Sequence, residues 1–220
     1  MPHSGSDNYQ TVVTAIREIA PNVLMLSFKK EWSFIAGQVV GIAIRIGDNP
    51  RMYTLSSSTE DKDAGIIFDI RPEGSLTPKL GKLRVGDKLL VSEPFGEFIG
   101  TKKPAWWIAT GTGVAPFLSM LRSGFHEHKK LIHGGGHSNS FYFEDEFKAI
   151  LGNDYIRCCT KETGNGLYAG RVTEWLTEQQ DLPTDILYYV CGKAEMVVEV
   201  RDLLISRHIP FDNIQSEIFF

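Results

Sequence analysis

Up to about residue 100, apolar and polar positions alternate with the period of two that is typical of β-strands. In the clearest case, Val40, Ile42, Ile44 and Ile46 fall on one face of a strand. Short runs of this kind, separated by Gly, Pro and Asp turns, predict an antiparallel barrel or sandwich. A short helix interrupts them, and Thr77 is its expected N-cap. The predicted strands are Val12–Ile16, Val23–Phe28, Gln38–Ile46, Tyr53–Ser56, Ile66–Arg71 and Lys88–Val91.

From Pro104 onward the pattern changes to strands that alternate with helices. This alternation is typical of a parallel, doubly wound α/β sheet. Because the change falls at Gly100–Pro104, we predict a β-barrel domain over 1–101 and an α/β domain over 102–220. The predicted strand and helix pairs are Trp106–Ala109 with Val114–Arg122, Lys130–His133 with Phe143–Ile150, Tyr155–Thr160 with Val172–Glu178, and Ile186–Cys191 with Met196–Arg207, followed by a last strand at Ile214–Phe219.

Composition and charge exclude several classes of protein. With 42% hydrophobic and 23% charged residues, the 220-residue chain has the balance of an ordinary globular protein. A net charge of −4 argues against binding nucleic acid through bulk charge. Three cysteines supply neither a disulfide framework nor the four thiolates of an iron–sulfur cluster. No secretory h-region or membrane-length apolar run is present, so we expect a cytosolic protein without a membrane anchor.

A glycine-rich turn at Gly111–Pro116 stands between a predicted strand and a predicted helix. Glycines at this place let a phosphate or a flat ring approach the backbone, and a helix N-terminus favours negative charge. A plain tight turn is the other interpretation of this segment.

Arg51–Ser57 combines a guanidinium, a phenol and several hydroxyls on one short strand. These groups suit an anionic ligand with an aromatic body: Arg51 for a phosphate, Tyr53 for stacking or a ribityl hydroxyl, and Thr54 for a ring nitrogen. A solvated amphipathic strand is the alternative.

Four short motifs follow one another along the chain: Arg51-Met52-Tyr53-Thr54-Leu55-Ser56-Ser57, Gly74-Ser75-Leu76-Thr77, Gly111-Thr112-Gly113-Val114-Ala115-Pro116 and Cys191-Gly192-Lys193-Ala194-Glu195-Met196. Their order and spacing resemble the ferredoxin–NADP reductase family of flavoenzymes. The segment Pro72–Leu80 is similar to the compact bacterial branch of that family at almost every position. The resemblance extends over nearly the whole chain.

The resemblance implies that the barrel domain binds FAD, with FMN as the alternative. Arg51, Tyr53 and Thr54 would hold the phosphate, ribityl chain and isoalloxazine, and the amides of the short helix would meet the pyrophosphate. A terminal aromatic side chain, from Phe219 or Phe220, would cover the flavin face that nicotinamide displaces. The implied flavin contacts are Arg51, Met52, Tyr53, Thr54, Gly74, Ser75, Leu76, Thr77, Thr112, Phe219 and Phe220.

The resemblance implies further that the α/β domain binds NADP(H). Lys161 and Arg171 would form a clamp for the 2′-phosphate. A third basic residue of the compact bacterial branch is replaced in this chain by Gly136. The implied nucleotide contacts are Gly111, Thr112, Gly113, Thr160, Lys161, Arg171, Cys191, Gly192 and Met196.

Hydride transfer between nicotinamide and flavin N5, with single electrons passed to or from ferredoxin or flavodoxin, is the implied activity. Thr54, Cys191, Glu217 and Phe219 would be the catalytic residues, although a free cysteine is most often a small core residue. Alternative functions are a free-flavin reductase, the reductase component of a multicomponent oxygenase, and a non-catalytic nucleotide-binding module. We expect a monomer.

Two other chemistries receive little support from the sequence. His133-Gly134-Gly135-Gly136 is similar to the oxyanion loop of esterases, but the chain has no Gly-x-Ser-x-Gly nucleophile elbow. The four histidines between residues 126 and 137 lack the spacing of metal ligands, so we interpret them as loop and cap residues.

Overall fold

The computed structural model describes residues 8–164 and 166–219. These residues form two compact units, and each unit draws on two segments of the chain. The first unit contains the described residues up to Gly100 together with Ala115–Ser123. The second unit contains Thr101–Val114 and the described residues from Gly124 onward.

Six antiparallel strands build the first unit, and their order in the sheet is β4-β3-β6-β1-β2-β5. The two edge strands approach one another, because Leu55 forms an antiparallel bridge with Ile66 and the Ser56 amide donates to the Gly65 carbonyl across 2.7 Å. The sheet is thereby closed, and the predicted antiparallel barrel is confirmed. The strands are β1 (Tyr9–Ala20), β2 (Val23–Lys29), β3 (Val39–Ala43), β4 (Arg51–Thr54), β5 (Asp63–Asp69) and β6 (Lys88–Val91), with helix α1 (Thr77–Leu80) before β6.

The barrel core is filled by apolar side chains that the period-two pattern directs inward. Leu26, Phe28, Ile42 and Ile66 are fully buried there, and Leu80 of α1 joins the same cluster. Removal of these side chains from water is the main favourable contribution to folding of this unit.

Two local predictions in the barrel are wrong. Strand β3 ends at Ala43 and not at Ile46, since a turn in which the Asp48 amide donates to the Arg45 carbonyl ends the strand and leaves Ile46 93% exposed. Thr77 does not cap α1, whose N-cap is Leu76. The Thr77 hydroxyl instead accepts a hydrogen bond from the Arg71 amide at 3.0 Å.

Helix α2 (Ala115–Arg122) belongs to the first unit although it follows a strand of the second. The Ser119 hydroxyl donates to the Ser57 carbonyl across 2.7 Å, and the Thr59 amide donates to the Ser123 hydroxyl. These bonds satisfy backbone groups at the end of the Arg51–Ser57 motif.

Six parallel strands form the sheet of the second unit, in the order β10-β9-β8-β7-β11-β12. The predicted parallel, doubly wound sheet is therefore confirmed, although the three-residue strand β10 was missed. None of the helices within the described residues has the length and apolar character needed to cross a bilayer. The elements are β7 (Ala105–Thr110), β8 (Lys129–Gly135), α3 (Glu144–Leu151), β9 (Tyr155–Cys159), β10 (Leu167–Ala169), α4 (Val172–Glu178), β11 (Leu187–Lys193), α5 (Ala194–Ser206) and β12 (Ile214–Phe219).

The order of this sheet reverses between β7 and β11. From β7 the chain proceeds outward through β8, β9 and β10, and it returns to the other side of β7 to add β11 and β12. In open α/β sheets, ligands bind beyond the carboxyl ends of the strands at such a switch point.

His133 is a fully buried residue of β8, so its interpretation as a loop or cap histidine is wrong. Its Nδ1 lies 3.0 Å from the Tyr155 hydroxyl, and the rings of Phe141 and Phe147 pack against it. Burial lowers the pKa of His133 to about 3, because desolvation disfavours the imidazolium. Since Gly134 and Gly135 continue the same strand, the stretch similar to an esterase oxyanion loop is strand backbone up to Gly135.

This burial predicts that stability falls as the pH is lowered from about 6.5 towards 3. The unfolded imidazole takes up a proton below about pH 6.5 and the folded one does not, which costs about 1.4 kcal/mol of unfolding free energy per pH unit. The double variant His133→Phe/Tyr155→Phe is expected to lose this contribution, as measured by urea unfolding between pH 7 and pH 4.

The matched control is His208→Asn, because His208 is exposed and Asn tolerates its positive φ of 62°. This variant should keep the wild-type pH slope. A double variant with the same slope as wild type would contradict the assignment of that slope to His133.

Candidate functional site

The glycine turn after β7 lies directly against the end of β11. A Cβ built on Gly113 would lie 2.4 Å from the Cys191 carbonyl oxygen, and one built on Gly192 would lie 2.4 Å from Oγ1 of Thr110. Side chains at Gly113 and Gly192 are therefore excluded by backbone and by a buried hydroxyl. Thr112, between the two glycines of the turn, is half-buried, and the whole turn lies at the switch point of the sheet.

Cys191 and Glu217 are adjacent across the β11–β12 pair. They are register partners, and the fully buried Cys191 Sγ donates towards Oε2 of Glu217 across 4.0 Å. Burial, and secondarily the Glu217 charge, raises the pKa of the Cys191 thiol well above its usual value. The thiol is therefore protonated at neutral pH and is not an activated nucleophile.

Thr110 is a site residue that sequence reasoning missed. Its buried Oγ1 has no hydrogen-bond partner among the described residues, and it lies beside Gly192 at the switch point. A buried hydroxyl without a hydrogen-bond partner lowers the free energy of unfolding, unless a ligand or a water molecule supplies that hydrogen bond. Its position immediately before Gly111 is the one indication that the sequence carried.

The first unit brings together a second group of site residues, on β4 and before α1. The charges of Arg51 and Arg71 both act on the Tyr53 phenol, whose pKa is nevertheless raised to about 12 because burial outweighs them. The Arg71 amide bonds to the Thr77 hydroxyl, and the Gly74 amide donates to the Arg71 carbonyl across 2.8 Å. Arg71 therefore joins the two predicted flavin motifs, and it was not among the predicted contacts.

The remaining predicted residues of this group differ in their exposure to solvent. Arg51 and Ser75 are exposed and Met52 is 62% exposed, whereas Thr54 is buried. The Leu76 side chain is buried in the barrel core, so only the backbone of Leu76 is available to a ligand. The amides of Ser75, Leu76 and Thr77 precede the first intrahelical hydrogen bond of α1 and can therefore donate to an external acceptor.

The predicted 2′-phosphate contacts lie in loops at the carboxyl edge of the parallel sheet. Thr160 and Lys161 follow β9, and their amides donate to the carbonyls of Gly135 and Gly136, each across 3.1 Å. Arg171 is the N-cap of α4 and forms an exposed ion pair with Glu199 at 2.9 Å. Met196 is buried in the first turn of α5, close to Gly192.

The end of the chain is described only in part. Phe219 is the last residue of β12, where it is half-buried and paired in register with Lys193. Phe220 lies outside the described residues. Within 8–164 and 166–219 the acidic, cysteine and histidine side chains form no cluster of three or more that could hold a metal ion.

Comparisons with known proteins agree with this architecture. Residues 107–202 match the family model of the oxidoreductase NAD-binding domain. The chain is 26% identical to the toluate 1,2-dioxygenase electron transfer component of Pseudomonas putida, over 96% of this chain and 67% of that protein. It is 29% identical to ferredoxin–NADP reductase B of Sorangium cellulosum, over 90% of this chain and 91% of that protein.

A solved structure shares the fold. The ferredoxin NADP+ reductase of Neisseria gonorrhoeae with bound FAD and NADP matches 98% of this chain and 100% of its own, with a TM-score of 0.88 and 19% identity. The two units therefore share the fold of that structure, and the oxidoreductase NAD-binding model matches residues that lie mostly in the second unit. The resemblance of this chain to the ferredoxin–NADP reductase family is confirmed.

The close approach at Gly113 predicts a position-specific loss of stability. In Gly113→Ala the new methyl group meets the Cys191 carbonyl, so backbone must shift, at an expected cost of about 1–3 kcal/mol of unfolding free energy. Gly136→Ala is the matched control, because its Cβ meets only Cδ of Lys161 at 3.9 Å. Urea unfolding should separate the two variants, and equal midpoints would contradict the packing described for the turn.

Proposed function

We propose that this chain is an FAD-dependent oxidoreductase that moves a hydride between NADP(H) and flavin and exchanges single electrons with ferredoxin or flavodoxin. The observation that carries the proposal is the Cys191–Glu217 pair beside the glycine turn at the switch point of a parallel sheet. The sequence relatives support it, since several of them are named as ferredoxin–NADP reductases.

The residues of the first unit suit FAD. Arg51 and Arg71 supply two positive charges near Tyr53, and the free amides at the start of α1 can donate to pyrophosphate oxygens. We propose that Arg51, Met52, Tyr53 and Thr54 bind the flavin and that Gly74, Ser75, Leu76 and Thr77 bind the pyrophosphate. The division into a flavin domain over 1–101 and a nucleotide domain over 102–220 belongs to the same proposal.

FAD, when bound, supplies two-electron exchange with nicotinamide and one-electron exchange with a protein partner. The contribution of this chain is to position the reactants and to exclude water. Burial keeps the Cys191 thiol protonated, so its Sγ holds its proton beside Glu217 and can pack against a nicotinamide ring without introducing a charge. We propose that Thr54, Cys191, Glu217 and Phe219 are the catalytic residues and that Thr112 contacts the flavin.

The nucleotide contacts are proposed on the second unit. Gly111, Thr112 and Gly113 present backbone to the coenzyme, with Gly192 and Met196 beside them. Thr160, Lys161 and Arg171 would meet the adenosine 2′-phosphate through charge-assisted hydrogen bonds.

A second candidate function is the reductase component of a multicomponent oxygenase. It is favoured by the match to the toluate 1,2-dioxygenase electron transfer component, which covers nearly all of this chain. The barrel and the nucleotide unit would be shared by both functions, and the electron acceptor would differ. Turnover with ferredoxin, flavodoxin and free FMN separates the candidates, and activity with free flavin alone would contradict both.

We further propose a cytosolic, monomeric protein. All three cysteines are buried free thiols, which suits a reducing compartment. Cell fractionation and light scattering test these two points.

The proposed cofactor predicts a yellow protein. After loading with FAD, absorbance at about 450 nm should appear and should bleach on anaerobic addition of NADPH. Mass spectrometry of the flavin that the purified protein releases distinguishes FAD from FMN. Protein that stays colourless and binds no added flavin would contradict the proposal.

The roles of Cys191 and Glu217 predict a kinetic defect without loss of cofactor. Cys191→Ala and Glu217→Gln should each slow flavin reduction by about 10- to 100-fold, because small displacements of the reactants are costly in rate. Stopped-flow absorbance measures that rate, and the bound flavin content should stay at the wild-type value. Asp145→Asn, which removes an exposed carboxylate from α3, is the control and should reduce at the wild-type rate. Unchanged rates in both site variants would contradict the assigned roles.

A further inference from the structure

The loops that follow β8 and β9 run side by side at the carboxyl edge of the parallel sheet. Their backbones continue the strand pairing, since the Thr160 amide donates to Gly135 and the Lys161 amide donates to Gly136. A Cβ on Gly136 would lie 3.9 Å from Cδ of Lys161. The aliphatic part of the Lys161 side chain therefore lies against Gly136, which directly precedes His137.

The carboxylate of Glu162 contacts the loop that begins with His137. Its Oε2 accepts a hydrogen bond from the Ser138 amide at 3.0 Å, and its Oε1 lies 2.9 Å from Nδ1 of His137. The hydrogen bonds from Ser138, followed by that from His137, lower the pKa of Glu162. The carboxylate is therefore ionised at neutral pH. In the sequence, Glu162 directly follows Lys161, the proposed phosphate contact.

Both basic residues proposed to meet a 2′-phosphate have carboxylates nearby. Arg171 pairs with Glu199, but both side chains are about half exposed, and an exposed pair of this kind is easily exchanged for a phosphate. Glu162 is 39% exposed, but it differs because two hydrogen bonds from the neighbouring loop, one of them from a backbone amide, hold it in place. A dianionic phosphate near Lys161 would therefore meet a fixed negative charge, whereas the neutral 2′-hydroxyl of NADH would meet an acceptor for its proton.

We propose that Glu162, held by Ser138 and His137, determines coenzyme specificity by weakening the binding of a 2′-phosphate, so that the chain uses NADH as well as NADPH. This inference rests on the proposed function, because it concerns the adenosine end of the proposed nucleotide site. Lys161 attracts the phosphate and Glu162 opposes it.

The test uses two nucleotides that differ only in the 2′-phosphate, namely adenosine 2′,5′-bisphosphate and 5′-AMP. Calorimetric titration of the full-length protein measures both dissociation constants without requiring flavin or turnover. Glu162→Gln preserves the size of the side chain and its acceptor for the Ser138 amide. The variant removes the negative charge and places an NH2 group opposite Nδ1 of His137. It should tighten binding of the bisphosphate by about five- to tenfold and leave 5′-AMP within about twofold.

Two further variants make the result specific. Lys161→Gln should weaken the bisphosphate by about five- to tenfold without affecting 5′-AMP. Asp145→Asn removes an exposed carboxylate of the same unit that lies on α3, outside the two loops, and it should change neither constant.

The NADPH to NADH ratio of kcat/KM in the flavin-loaded protein should rise in Glu162→Gln by the same factor as the bisphosphate affinity. An unchanged affinity ratio in this variant overturns the inference, as does failure of the wild-type protein to bind either nucleotide. If neither coenzyme is oxidised, the proposed function itself fails. Oxidation of both coenzymes with an unchanged ratio in Glu162→Gln contradicts only the role of Glu162.

Discussion

Close backbone approach between the turn after β7 and the end of β11 is the constraint on which the candidate site depends. The Cys191 carbonyl occupies the space that a side chain at Gly113 would need, and the Thr110 hydroxyl occupies that of Gly192. Because both glycines lie where the order of the sheet reverses, the approach places the glycine turn at the switch point between β7 and β11. The Cys191 thiol and the Glu217 carboxylate are adjacent at this end of the sheet. The Thr110 hydroxyl, which has no partner among the residues that the structure describes, lies beside Gly192.

Two sets of ionisable groups in this protein differ in their exposure to solvent. Cys191 and His133 are fully buried and are kept neutral at neutral pH, as the raised pKa of Cys191 and the lowered pKa of His133 indicate. Groups suited to binding anions remain at the surface, where Arg51, Arg71 and Lys161 are exposed. This division suits a reaction in which charged phosphates are held at the periphery of the ligand and a neutral ring is enclosed.

The carboxylates around the proposed adenosine site show how specificity can be set without a change of fold. An exposed ion pair such as Arg171–Glu199 contributes little and can be replaced by a ligand. A carboxylate fixed by a backbone amide keeps its position and therefore its repulsion, as Glu162 does through the Ser138 amide. Repulsion built into a site is a common means of discriminating between two similar ligands.

Local pattern determined a large part of this structure. The bounds of β6, α4 and β12 agree with the sequence prediction at every residue, because the apolar periodicity and the flanking Gly, Pro and Asp residues are local properties of the chain. The fold class followed from the change of periodicity near residue 100, and the candidate motifs followed from a resemblance whose residues could be located one by one. The prediction was wrong at Ile46, where a side-chain-stabilised turn ended the strand, and it missed β10, which has only three residues.

Tertiary structure alone decided which of these residues meet. Cys191 faces Glu217 because β11 and β12 pair in parallel register, and strand pairing between residues 26 apart leaves no periodic trace in the sequence. The burial of His133 depended on the packing of Phe141, Phe147 and Tyr155 around it, and the position of Arg71 depended on its bond to Thr77. Periodicity reports how a segment orients its side chains relative to its own axis, whereas long-range contacts depend on how segments pack, and packing is a property of the whole unit.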